Sequence, residues 1–173
     1  NRTSARGHIF CGINGTKNDC RMLFVTIPDN DLAKYSYMSA KLRELLLNLR
    51  TARKTLEGFA NTCFDKSFAK CIHLFTSESL QCENEIASQI ESLDGCPHYE
   101  SIPQQKCKPL AADKLLHMDS VCDFCENAYV DKYRQMLKDN HLGSSLKSLM
   151  QNHLRLFLSS LTQLQQFTEA AVN

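Results

Sequence analysis

Cys122-Asp123-Phe124-Cys125 is the one C-x-x-C in the chain, and that spacing is the first candidate for chemistry. At the start of a helix that follows a strand, two such thiols can cycle between dithiol and disulfide, because the helix dipole stabilises the thiolate. Here the pair falls inside a helical hydrophobic period with no strand before it, so a structural role is expected. Seven further cysteines, Cys11, Cys20, Cys63, Cys71, Cys82, Cys96 and Cys107, bring the total to nine. They are spread along the chain rather than gathered in zinc-binding knuckles, and the reading is a disulfide framework in which all nine are candidates. Cysteines three apart on a helix share a face, so Cys122 and Cys125 are expected to bridge to different neighbours, the N-terminal arm and the 96–107 loop. An odd number leaves one thiol free or available to another chain.

Histidines at 8, 73, 98, 117, 141 and 153 form no H-E-x-x-H or other ligand spacing. There is no Gly-rich phosphate loop and no G-x-S-x-G elbow. The expectation is a non-enzyme with no cofactor and no metal. Asn1-Arg2-Thr3 and Asn14-Gly15-Thr16 are glycosylation sequons at Asn1 and Asn14, and with the cysteines they point to an extracellular protein, secreted or the ectodomain of an anchored one. Twenty basic against nineteen acidic residues give no field to attract nucleic acid.

Long helices must position these groups. From Tyr35 the apolar residues Met38, Leu42, Leu45, Leu49, Ala52, Leu56, Phe59 and Cys63 recur at alternating intervals of three and four, which predicts an amphipathic helix over about 31–63, with Gly58 its weak point. Arg43, Arg50, Arg53 and Lys54 line its polar side as a basic stripe, expected to be a solvated face, with Arg43, Arg50 and Arg53 the candidates there for contact with a partner. A second helical region over 64–94 is interrupted by Thr76-Ser77-Glu78-Ser79 and reads as two helices or one kinked helix. Residues 95–111, with three prolines, predict a loop whose recognition reading presents Tyr99 and Lys108 to a partner. A third helix starts near Leu115, and a fourth, capped by Ser144 or Ser145, carries Met150, Leu154, Phe157, Leu161 and Leu164. Its second apolar row, Leu146, Leu149, Leu156 and Leu158, calls for burial on two sides or a face kept for a partner.

Residues 1–30 break the helical period and read as an irregular cysteine-containing arm with room for a strand at 22–27. The fold expected is all-α: one domain over 1–173, an up-down-up-down four-helix bundle over 31–173, stapled by disulfides. Cys122-x-x-Cys125 with Ala128-Tyr129 resembles the opening of a saposin-type helix, which implies lipid binding, but no cysteine follows Cys125 to complete that frame. Cys11 to Asp31 is loosely similar to the start of a frizzled-type cysteine-rich domain, and the later spacings depart from it. The function expected is an extracellular module that binds a protein partner, secreted or membrane-bound. A carrier of lipid or another small apolar ligand, and a helical cytokine-like ligand, are the alternatives.

Overall fold

The computed structural model describes residues 29–94 and 118–172, and among these every regular element is helical. Helix α1 runs Asp29–Thr62 and α2 runs Lys66–Asp94. A third rod follows as α3, Met118–Cys125, a π-helical turn, Glu126–Val130, and α4, Asp131–Leu137. Helix α5 spans Ser144–Val172. The arm with its expected strand, both sequons, the 95–111 loop with Tyr99 and Lys108, and Cys11, Cys20, Cys96 and Cys107 lie outside the described residues.

The helix boundaries follow local chemistry. The Asp65 carboxylate accepts the backbone N–H groups of Ser67 at 2.8 Å and Phe68 at 3.0 Å, satisfying donors that the first turn of α2 leaves open. Gly58 does not break α1, and α2 passes through 76–79 without interruption. The hydroxyl of Thr76 donates to the His73 carbonyl, and Ser79 donates to Glu83, so these polar side chains are satisfied within the helix. In the third rod, the Asp131 N–H reaches back five residues to the Glu126 carbonyl. That wide turn inserts one residue and keeps Cys122, Cys125, Tyr129 and Tyr133 all facing inward.

Five contacts fix the direction of each helix. Arg53 meets Glu83, so α1 and α2 are antiparallel. Tyr37 donates to Asp139 at 2.7 Å, placing the start of α1 at the end of α4. Tyr133 meets His153, and Glu85 meets His153 while Glu78 meets Ser160, so α5 is antiparallel to both the third rod and α2. The order is therefore up-down-down-up, with α2 and the third rod parallel, rather than the expected up-down-up-down. The expectation applied the short-connection rule to a segment too long for it. Residues 95–117, at up to about 3.3 Å each, can span the roughly 43 Å of α2 and return the chain to the starting end.

The core is aromatic at its centre. Phe75, Tyr129, Tyr133 and Phe157 pack with ring centroids 4.9–5.4 Å apart, and all four are buried. Leu42, Leu49, Leu56, Ile72 and Ile86 extend it along α1 and α2.

Candidate functional site

Position 53 on α1 faces α2, where Glu83 occupies a seam position that the apolar rhythm would assign to the core. The Glu83 side chain is 2% exposed and receives Arg53 through Nε at 2.7 Å and Nη2 at 3.2 Å. Arg53 Nη1 also donates to Glu57 at 2.6 Å, the Ser79 hydroxyl donates to Glu83 at 3.2 Å, and Arg50 approaches Glu83 to 3.8 Å. Burial without these partners would cost several kcal/mol, and the fork-shaped guanidinium supplies what a carboxylate needs. The carboxylate in turn holds the Arg53 pKa above its ordinary value. The expected basic stripe is thus not a uniform outward surface. Arg53 turns inward as a structural counter-ion, Arg50 is drawn after it, and Arg43 sits against Ser39 at 3.4 Å.

A second polar chain crosses the other side of α2. Tyr133 Oη lies 3.0 Å from His153 Nδ1, and His153 Nε2 lies 2.8 Å from Glu85. A carboxylate only accepts, so Nε2 carries a proton toward Glu85, and in the neutral ring Nδ1 accepts the Tyr133 hydroxyl. The His153 bond holds the Glu85 pKa below its usual value, with Gln81 contributing, and burial raises that of Tyr133. This tyrosine–histidine–glutamate chain resembles a proton relay in its connectivity, but its phenol end is sealed in the aromatic core. Ser160 donates a short bond to Glu78 one layer along. Tyr129 contrasts with Tyr133, because its hydroxyl is buried with no hydrogen-bond partner; Ser79 is close enough to moderate the rise that burial gives its pKa but does not bond to it.

The five described cysteines, Cys63, Cys71, Cys82, Cys122 and Cys125, are free thiols. Cys122 and Cys125 form none of the bridges expected of them: both are buried in the core as free thiols, and the cysteines of the arm and the 96–107 loop lie outside the described residues. Burial pushes the Cys122 thiol up to about 11 and the Cys82 thiol up to about 12, and raises Cys125 further. Such thiols are protonated at neutral pH and poor nucleophiles. Among the described residues no group of three or more His, Cys, Asp or Glu side chains is arranged to hold a metal ion, and no helix is long and apolar enough to cross a membrane.

An open groove between α1 and α4 is lined by Lys41, Glu44, Asn48, Lys132, Gln135 and Asp139, with Leu45 and Met136 at its floor. Its volume of about 110 Å³ is below that of ordinary small-ligand sites, roughly 300–1,000 Å³.

The opposite layer, α2 beside α5, has a different surface. With Glu78 against Ser160 and Glu85 against His153, residues on the far side of each helix form one outer face. From α5 it receives Leu149, Leu156 and Gln163, flanked by Asn152, Ser159 and Gln166. From α2 it receives Leu74, Gln81 and Ser88, flanked by Ser77 and Asn84. None of these is charged, although Glu85, held by His153 and Gln81, lies at the seam between the two helices with its side chain 41% exposed; Leu74 is 54% exposed, and Phe167 at the α5 end is 36% exposed. The α1 and third-rod layer instead exposes Lys54, Asp119, Asp123, Arg134 and Lys138. Of the second apolar row expected on the last helix, Leu146 is in the core, Leu149 and Leu156 are half-buried at this layer's edge, and Leu158 lies on the other side of the helix.

Sequence reasoning missed the Glu83 and His153 networks. A signal existed for each, since Glu83 lies one turn from both Ser79 and Ala87 and His153 lies three residues from Met150, both in line with the apolar seam. No protein-family model matches the chain, and no curated protein or solved structure matches it significantly.

Proposed function

We propose that this chain is a protein-binding module that docks a partner through the outer face of α2 and α5. The observation that supports the reading is the scarcity of charge along that face, where Glu85 is tied to His153 and Gln81, combined with half-exposed leucines and an exposed phenylalanine. Depletion of charge with retention of large apolar side chains is the compositional mark of an interface centre. The buried ion pair and the Tyr133–His153–Glu85 chain act as rigid supports, holding α2 against α1 on one side and against α5 and the third rod on the other. A preformed face binds with less ordering cost than a flexible one.

The setting of this reading is extracellular, on the strength of the two sequons. A carrier for lipid is less favoured, because Phe157 and Leu161, the side chains that would line its cavity, are consumed in core packing. A cytokine with two long crossovers does not fit the up-down-down-up order.

The test is binding of secreted, folded protein to a panel of cells and extracellular proteins. Leu74→Glu and Phe167→Glu should each abolish the signal, whereas Lys54→Glu on the opposite layer should leave it unchanged. Equal binding by all three variants refutes the docking face.

A further inference from the structure

The outer face of α2 and α5 is sparse in charge, and apart from Glu85, which His153 and Gln81 already hold, its charges are placed with two-fold logic. On α2 the outward row reads Lys70, Ser77, Asn84, Glu91, one residue per heptad. Lys70 and Glu91 are both exposed, form no ion pair among the described residues, and stand about 31 Å apart at 1.5 Å per residue. A row that is positive at one end, negative at the other and neutral between is complementary to its own reverse.

We propose that the partner is a second copy of this chain, docked face to face about a two-fold axis lying in the interface at right angles to α2 and α5. This rests on the reading of that face as a docking surface and names its occupant. An axis midway between Lys70 and Glu91 passes α2 at the level of Leu80 and Gln81. The register set by Glu78 beside Ser160 and Glu85 beside His153 puts the same axis on α5 at the level of Phe157 and Leu158. That is within one residue of the midpoint between Leu149 and Phe167. One operation therefore pairs Lys70 with Glu91 of the second copy, Ser77 with its Asn84, and Leu149 with its Phe167, each pairing occurring twice as a closed two-fold contact requires. No pair of like charges meets across the face.

The area also suffices. Two helices of about 10 Å width, overlapping over about 40 Å, present roughly 800 Å² per subunit, the amount buried by each partner in a standard stable interface. The α1 and third-rod layer, with charges of both signs scattered along it, has no comparable self-complementary row.

Sedimentation velocity on the full-length chain across 1–100 µM tests the proposal, with circular dichroism confirming that each variant is folded. Wild type should dimerise in a concentration-dependent manner. Lys70→Glu and Glu91→Lys, both exposed and therefore tolerated by the fold, should each weaken the dimer about tenfold, from two like-charge contacts replacing two ion pairs. The double variant K70E/E91K should restore wild-type affinity, which no general loss of solubility or folding can mimic. A wild type that stays monomeric at 100 µM, or a dimer indifferent to both single variants, overturns the proposal. A monomer whose binding to another protein is still lost in Leu74→Glu leaves the docking face in place and removes only the second copy as its occupant.

Discussion

Replacing Arg53 by Met removes the counter-ion of a carboxylate that is 2% exposed, and the structure allows the cost to be bracketed. Glu83 would keep the Ser79 hydroxyl and the distant Arg50 contact at 3.8 Å, but would lose two charge-assisted hydrogen bonds. Breaking one side of a buried ion pair costs about 3–5 kcal/mol. Arg53 is 17% exposed, so water and a shift of Arg50 recover part of this and the expected loss is about 3 kcal/mol. In a chain of this size that lowers the melting temperature by roughly 6–12 °C. Glu83→Leu alone leaves Arg53 with Glu57 and some solvent access, so it should cost less, about 1–2 kcal/mol. The double variant R53M/E83L removes both charges and fills the space with apolar atoms, which is often neutral or stabilising in buried sites. Urea denaturation of the four proteins gives the cycle. The reasoning predicts a coupling energy of about 2 kcal/mol or more, with the double variant more stable than R53M. Additive losses, or a cost below about 0.5 kcal/mol for R53M, would refute it.

Three further outcomes separate the two buried tyrosines, the acid behaviour and the thiols. Tyr129→Phe removes a hydroxyl without a partner and should be neutral or stabilising by up to about 1 kcal/mol, whereas Tyr133→Phe deprives His153 Nδ1 of its donor and should destabilise by about 1–2 kcal/mol, both read from urea midpoints. The Glu85 pKa is lowered in the folded state, chiefly by His153, so its stabilising contribution is complete above the unfolded carboxylate pKa of about 4.3 and fades as pH falls below it. Stability of the wild type between pH 5 and pH 3 should therefore fall more steeply than that of Glu85→Gln. Alkylation at pH 8 should label Cys63 and Cys71, which are partly exposed, while Cys82, Cys122 and Cys125 react only after unfolding.

Much of the helical plan was legible because the three-four rhythm is a direct image of burial. Met38 through Leu56, and Met150, Phe157, Leu161 and Leu164, fall in the core as their spacing requires, while Leu154 is half-buried at its edge. The π turn at Glu126–Val130 was not legible, since a one-residue insertion within a helix leaves Cys122, Cys125, Tyr129 and Tyr133 at intervals an α-helix also accepts. The helix directions were misread because periodicity carries no information about a connection long enough to cross the bundle. Arg53 was read from its charge alone, and Glu83 was not singled out. Their meeting depends on the packing of two helices whose contact residues lie 30 apart in sequence, and no local pattern reports it. The outer row of α5 was visible as surplus apolar surface, but the charge-poor continuation on α2 emerges only when those helices lie side by side.

The docking face exists only if α2 and α5 form one layer with the third rod running parallel to α2, and that arrangement can be measured directly. Spin labels introduced as non-natural residues, leaving the cysteines intact, would be placed at Lys66 with Asp119 and at Lys66 with Lys138. The account predicts about 15–20 Å for the first pair, at one end of the bundle, and more than about 30 Å for the second, at opposite ends. The reverse order of distances would restore the up-down-up-down arrangement, separate the two helices of the face and contradict the account.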